Sequence, residues 1–77
     1  MTVFVNNIEV TLFTGARVID AIRAYYSNIH HNLPDVIPVA LDDFGNIVEM
    51  DGEISHLQRL YTIDHEVLLE TDQYENF

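Results

Sequence analysis

The sequence predicts an α+β domain in which one main helix packs on one face of a mixed sheet of four or five strands. Three observations indicate this class. Apolar and polar residues alternate on both sides of an Asn-Asn pair near the start of the chain. One stretch with helical apolar spacing follows, and the later apolar residues occur in short alternating runs between turn residues. One helix covers one face of such a sheet, which is typical of two-layer α+β domains.

The first element is a predicted β-hairpin. Residues 3–5 and 8–13 each alternate with a period of two, which puts Val3 and Val5 on one side of the first strand and Phe4 on the other. In the second strand, Phe13 falls on the side opposite the apolar positions 8, 10 and 12. The intervening Asn6-Asn7 favours a turn, because Asn tolerates the left-handed backbone conformation.

A helix is predicted to follow Gly15 and to end near residue 29. Its apolar stripe consists of Val18, Ile22, Tyr25 and Ile29, at i, i+4, i+7 and i+11. Residues 28–34 are poor helix formers, which sets the end. Arg17 stands where a capping Ser or Thr is usual, so Thr14 is an alternative N-cap.

Three further strands are predicted. The third is 37–41, with Ile37, Val39 and Leu41 alternating, the fourth is 47–50, and the last is 66–70. Turn residues at 42–46 and 51–52 bound the fourth strand. Residues 54–63 are ambiguous between a helical turn and an irregular crossing. We expect residues 1–70 to form a single domain and residues 71–77 to form an acidic C-terminal tail.

The composition restricts the function. The 77 residues include three arginines, no lysine and 13 carboxylates, for a formal net charge of −10. This charge repels nucleic acids and anionic membrane surfaces, and it attracts basic proteins. The chain has no cysteine for a thiol nucleophile, a disulfide or a cysteine-ligated cluster. No apolar run is long enough to span a bilayer, so we expect a cytoplasmic protein.

Three stretches resemble the β-grasp, or ubiquitin-like, superfold. MTVFVNNIEVTLFTG resembles its opening hairpin, and GARVIDAI resembles the G-x-T-V-x-x-A/L helix entry of ThiS/MoaD sulfur carriers and [2Fe-2S] ferredoxin-type domains. IDHEVLLE is similar to the L-x-D-G-D-x-V ending of the sulfur carriers. The resemblance implies that the first and last strands pair in parallel at the centre of the sheet.

The residues that carry the chemistry of these two families are missing. Sulfur carriers act through a C-terminal Gly-Gly, whereas here no glycine follows Gly52. Ferredoxin-type domains hold their cluster with cysteines after the helix, and residues 36–41 contain none. The sequence therefore predicts a scaffold that does not use either chemistry.

No catalytic, metal or cofactor site is predicted. His30 and His31 are adjacent on a loop and lack the H-x-x-x-H spacing of a helical zinc site. The acidic residues between 42 and 53 do not match a calcium loop, because Gly45 follows Asp42 too closely. Neither Ser27 nor Ser55 lies in a G-x-S-x-G elbow. We therefore expect a protein that is not an enzyme.

A protein-binding surface is the preferred hypothesis. Its candidate residues are aromatic: Phe4, Phe13, Phe44 and Tyr61. In a two-layer domain, Phe4 and Phe13 would lie on the sheet face without a helix, where several aromatic side chains would form an apolar patch. The predicted function is a non-catalytic interaction module that binds a protein with a basic or apolar surface.

Three alternatives remain open from the sequence. The first is a divergent ThiS/MoaD-like sulfur-carrier-type protein of cofactor biosynthesis. The second is a small-ligand pocket near His30, His31 and Tyr61. The third concerns the partner, since an unpaired edge strand would allow a homodimer by edge-strand pairing.

Overall fold

A five-stranded mixed sheet and one helix are formed by residues 1–63, the part of the chain that the computed structural model describes. The elements in chain order are β1 (Thr2–Val5), β2 (Ile8–Thr11), α1 (Val18–Asn28), β3 (Val39–Leu41), β4 (Ile47–Val48) and β5 (Arg59–Ile63). The strand order across the sheet is β2-β1-β5-β3-β4. Only the central β1–β5 pair of these strands is parallel. The predicted α+β class, with one helix on a mixed sheet, is confirmed for these residues.

The core lies between α1 and one face of the sheet. Val3, Val5 and Val10 of the first hairpin are at most 1% exposed, as the alternation predicts. Val18 and Ile22 of the helical stripe are equally buried, while Tyr25 is half-buried and packs against the core. The rest of the core consists of Leu12, Ala16, Ala21, Ala40, Ile54 and Leu60. Burial of this apolar surface is the main stabilising term of the fold.

The turn of the first hairpin is formed by the predicted Asn pair. Asn6 and Asn7 both have positive φ values, 52° and 65°. Such a turn matches the twist of the two flanking strands, and Asn adopts it more readily than most residues. Val5 pairs with Ile8 across it, although Ile8 is 39% exposed and lies at the margin of the core.

The start of α1 is capped by backbone groups from a distant loop. Val18 N–H donates to the Gly52 carbonyl (3.0 Å) and Ile19 N–H to the Met50 carbonyl (2.8 Å). The N-cap is Arg17. Its guanidinium carries no acceptor atom and so cannot accept a capping hydrogen bond. The backbone N–H of Arg17 donates to Asp20 Oδ2 (2.8 Å). Thr14 is therefore not the cap. The arrangement satisfies N–H groups that a helix leaves unpaired in its first turn.

The end of α1 is a Schellman motif without glycine. His31 N–H donates to the Tyr26 carbonyl (3.0 Å) and His30 N–H to the Ser27 carbonyl (3.1 Å). His30 has a φ of 58°, in the left-handed region that this position requires. The predicted end near residue 29 is confirmed, since Ile29 is the C-cap.

The central parallel strand lies earlier in the chain than predicted. Both neighbours of β1 are occupied, one by β2 and the other by β5. The predicted pairing of β1 with a last strand at 66–70 is therefore wrong, because Arg59–Ile63 takes that place. Residues 64–77, including the predicted strand 66–70 and the tail 71–77, lie outside the described residues.

β3 and β4 are both shorter than predicted. β3 begins at Val39, and Ile37 lies outside it and is 36% exposed. In β3 the fully buried residue is Ala40, whereas Val39 and Leu41 are only half-buried. β4 ends at Val48, and Met50 belongs to the turn that caps the helix.

Candidate functional site

The sheet has a second face, turned away from α1, which we call the outer face. Cross-strand neighbours lie on the same side of a sheet, and successive residues of a strand lie on opposite sides. Buried Leu60 fixes the helix side of β5, so Arg59, Tyr61 and Ile63 belong to the outer face. The register then adds residues from the other strands, namely Thr2, Phe4, Glu9, Thr11, Val39, Leu41 and Ile47.

The part of the outer face that β3, β4 and the end of β5 form is largely apolar. Val39, Leu41 and Tyr61 are half-buried neighbours on β3 and β5, and Leu41 pairs directly with Tyr61. Ile47 on β4 extends the row and is 72% exposed. A contiguous row of this kind differs from scattered surface hydrophobics, which need no explanation.

Phe4 is stacked against a cation. The guanidinium of Arg59 lies 4.6 Å from the centre of the Phe4 ring, and its Nη1 donates to Asn7 Oδ1 (3.2 Å). Such a contact contributes about 0.5–1 kcal/mol at an exposed site. It covers part of the ring, which is half-buried. One positive charge is therefore held within the apolar face.

Tyr61 joins the outer face to the β3–β4 turn. Its hydroxyl donates to Asp43 Oδ1 (3.3 Å). The same turn is fixed by Asp42, whose Oδ1 accepts the N–H groups of Phe44 and Asn46, both at 2.9 Å. Gly45 completes the turn with a φ of 80°. The predicted turn at 42–46 is confirmed.

The four aromatic candidates do not all lie on the sheet. Phe4 and Tyr61 belong to the outer face. Phe44 lies in the β3–β4 turn and is 88% exposed, and Phe13 follows the end of β2 and is 62% exposed. The structure thus brings two of them onto one face and leaves two in connections. The prediction that Phe13 lies on a strand of this face is wrong, because β2 ends at Thr11. Their role in partner binding stays a prediction.

The sequence did not assign Val39, Leu41, Ile47 and Ile63 to this face. The alternation of Val39 and Leu41 was recognisable, but alternation by itself does not show which side of the strand the helix covers. The small residue between them, Ala40, is the relevant signal, because close packing against the core favours a small side chain at 0% exposure.

The charged residues are mostly exposed and singly placed. Arg17 and Glu53 form an ion pair at 3.7 Å with exposed side chains, which contributes about 0–1 kcal/mol. His56 Nδ1 accepts the N–H of Thr2 (3.1 Å). His30 and His31 lie at the end of α1, whereas Tyr61 lies on the opposite side of the sheet. His65 lies outside the described residues. Within residues 1–63, no three His, Asp or Glu side chains are grouped to hold a metal.

Comparisons of the chain with known protein families, with curated proteins and with solved structures found no match. In residues 1–63 no helix has the length and apolar character needed to cross a membrane.

Proposed function

We propose that the chain is a β-grasp-like, non-catalytic interaction module that binds another protein through the outer face of its sheet. The topology supports the fold assignment. A β-hairpin is followed by a helix, and the hairpin's first strand pairs in parallel with the last described strand at the centre of the order β2-β1-β5-β3-β4. This is the arrangement expected from the β-grasp resemblance.

The observation that carries the functional proposal is the apolar row on the outer face. Leu41, Tyr61 and their neighbours present aliphatic and aromatic surface on regular strands, which hold the side chains in fixed positions. Aromatic side chains at the centre of a patch are typical of protein interfaces. Binding would remove this surface from water, and the hydrophobic effect would supply most of the free energy.

The charges around the row define the partner. Glu9 lies on the outer face opposite Phe4, and the exposed Asp43 lies beside Tyr61. With a net charge of −10, the chain attracts proteins with positive surfaces over a long range. We therefore infer a partner with an apolar centre and a basic rim. Such charges determine orientation and association rate more than affinity.

Affinity capture with substituted baits tests this proposal. Tyr61→Asp and Phe4→Asp place a carboxylate on the outer face, so both should reduce recovery of the partner about tenfold or more, since a buried unpaired charge is costly. Val36→Asp is the matched control, because Val36 is 58% exposed and precedes β3 in the helix–β3 connection. Circular dichroism establishes that each bait is folded.

The recovered partner is then titrated into the ¹⁵N-labelled wild-type chain. Amide shifts should concentrate in β1, β3 and β5. Equal recovery with all baits, recovery no higher than with an unrelated acidic bait, or shifts confined to α1 would contradict the proposal.

A further inference from the structure

The β3–β4 hairpin carries the two most exposed large apolar side chains in residues 1–63. Phe44 in the turn is 88% exposed and Ile47 in β4 is 72% exposed. The turn is held by the Asp42 carboxylate, so Phe44 is presented by a fixed backbone. Two such side chains on one short hairpin form an apolar projection at the margin of the sheet.

The backbone of β4 is also unpaired on one side. β4 is the last strand in the sheet order. Asp42 N–H donates to the Asn46 carbonyl (2.9 Å), so Asp42 and Asn46 form a hydrogen-bonded pair and the next pair, Leu41 with Ile47, is a non-hydrogen-bonded one. The N–H and C=O of Ile47 therefore point away from β3. Within the described residues neither has a partner.

The opposite edge of the sheet is less accessible. β2 forms that edge, and Asn28 at the end of α1 donates from Nδ2 to the Glu9 carbonyl (3.4 Å). A helix side chain thus occupies one of the outward backbone groups of β2. This contact protects β2 at one position, as neighbouring groups protect natural edge strands, whereas residues 1–63 show no such contact to Ile47 of β4.

The β3–β4 hairpin and the residues directly after it are rich in carboxylates. Asp43, Glu49 and Asp51 are exposed carboxylates on or next to the hairpin, and residues 24–58 contain no Lys or Arg. Pairing of β4 with β4 of a second copy would bring these carboxylates together, and each chain carries a charge of −10. The edge therefore suits a basic occupant and disfavours a second copy.

We propose that the β4 edge binds an extended segment of another protein, which adds a strand beside Ile47. Ile47 lies on the outer face and the exposed Glu49 follows directly after β4. The segment would therefore present an apolar residue beside Ile47 and a Lys or Arg about two positions away, near Glu49. Backbone hydrogen bonds to Ile47 supply affinity, and the two side-chain contacts supply specificity. This site is the edge of the sheet, and its binding does not depend on the outer-face binding of the proposed function.

A synthetic peptide tests the site on the full chain. The acetylated peptide Thr-Val-Thr-Lys-Thr-Val-Thr-Lys-Thr has Val and Lys alternating on one side, and the control peptide has Glu in place of Lys. Titration into ¹⁵N-labelled protein should shift the amide signals of Ile47 and Glu49 first. The Glu peptide should bind at least about tenfold more weakly because of charge repulsion.

Substitutions separate the contributions of the Ile47 backbone N–H, the Ile47 side chain and the Glu49 charge to peptide binding. Ile47→Pro removes an outward N–H without breaking the ladder to β3, so it should weaken binding about two- to tenfold. Ile47→Thr keeps that N–H and loses the apolar contact, so it provides a second variant if the proline variant fails to fold. Glu49→Gln should weaken binding about two- to fivefold, whereas the control Asp35→Asn, in the helix–β3 connection, should leave it unchanged.

Three results would overturn the inference. The first is a shift pattern centred away from residues 44–49, and the second is equal binding of the Lys and Glu peptides. The third is dimerisation of the peptide-free chain through β4, seen by analytical ultracentrifugation and abolished by Ile47→Pro. Phe4→Asp should leave peptide binding intact, so a failure of the outer-face proposal is distinguishable from a failure of this one.

Discussion

At the scale of single residues, the two asparagines of the first turn have different structural roles. Both have positive φ values, but only Asn6 makes two side-chain hydrogen bonds to β5. Its Oδ1 accepts the N–H of Thr62 (3.0 Å), and its Nδ2 donates to Thr62 Oγ1 (2.9 Å). Asn7 has one exposed contact, from Arg59. The turn therefore uses Asn6 for its side chain and Asn7 mainly for its backbone.

Glycine substitutions should separate the role of the backbone conformation from that of the side-chain hydrogen bonds. Glycine adopts positive φ without steric cost, so Asn7→Gly should leave the free energy of unfolding unchanged or raise it by up to about 0.5 kcal/mol. Asn6→Gly loses both bonds to Thr62 and should lower it by about 1–2 kcal/mol. Urea denaturation of the two variants measures the difference. Equal effects would show that the Thr62 contacts do not stabilise the fold.

Residue contacts of this kind were not predictable from the sequence. The Asn6-Asn7 pattern indicated a turn, because that preference is a property of the residues themselves. The bond from Asn6 to Thr62 and the stacking of Arg59 on Phe4 join residues that are far apart in the chain. They depend on the parallel pairing of β1 with β5, which no local pattern specifies.

At the scale of elements, the first half of the chain was more predictable than the second. The hairpin and α1 are defined by periodicity and by turn residues within the same short segment. Residues 54–63 lacked such a signal, because Ile54, Leu57 and Tyr61 are also spaced as in one face of a helix. Arg59–Ile63 is a strand because it pairs with β1 and β3. These tertiary contacts override the helical spacing of the local sequence.

The strand assignment predicts unequal effects for two leucines of this stretch. Leu60 is 0% exposed at the centre of the sheet, whereas Leu57 is 56% exposed in the preceding turn. Leu60→Ala should lower the free energy of unfolding by about 2–5 kcal/mol, since it leaves a cavity in the core. Leu57→Ala should lower it by less than about 1 kcal/mol, within the range of surface substitutions.

Thermal and urea denaturation followed by circular dichroism compare the two leucine variants. Similar losses for both would mean that the segment is packed as one face of a helix, and it would contradict the register of β5. The outer face would then lose Tyr61 and Ile63, so this measurement also bears on the candidate site.

At the scale of the whole molecule, the sequence specified the layers but not the strand order. One helix with a buried stripe and several alternating strands were enough to predict a two-layer domain. The order β2-β1-β5-β3-β4 places the first and last described strands side by side. The residues of the outer face come from all five strands of that order. The face could therefore be predicted only in part: Phe4 was assigned to it, and Tyr61 was a binding candidate without an assigned strand.

The distribution of charge over the molecule predicts how stability responds to salt. The chain has thirteen carboxylates and three arginines. Arg17 forms an ion pair with Glu53, and Arg59 stacks on the Phe4 ring. Repulsion among the remaining exposed carboxylates destabilises the compact state, because unfolding moves them apart. At 0.01 M salt the screening length is about 30 Å, and it falls to about 8 Å at 0.15 M.

Raising NaCl from 0.01 to 0.15 M should therefore raise the free energy of unfolding, by about 0.5–1 kcal/mol. The variant Glu49→Lys with Asp51→Lys removes two carboxylates and adds two cations, so it should be more stable than the wild type in low salt and respond less to NaCl. Urea denaturation at both salt concentrations measures the effect, and KCl serves as a check that charge screening is responsible. A loss of stability with salt would mean that attractive pairs such as Arg17–Glu53 outweigh the repulsion.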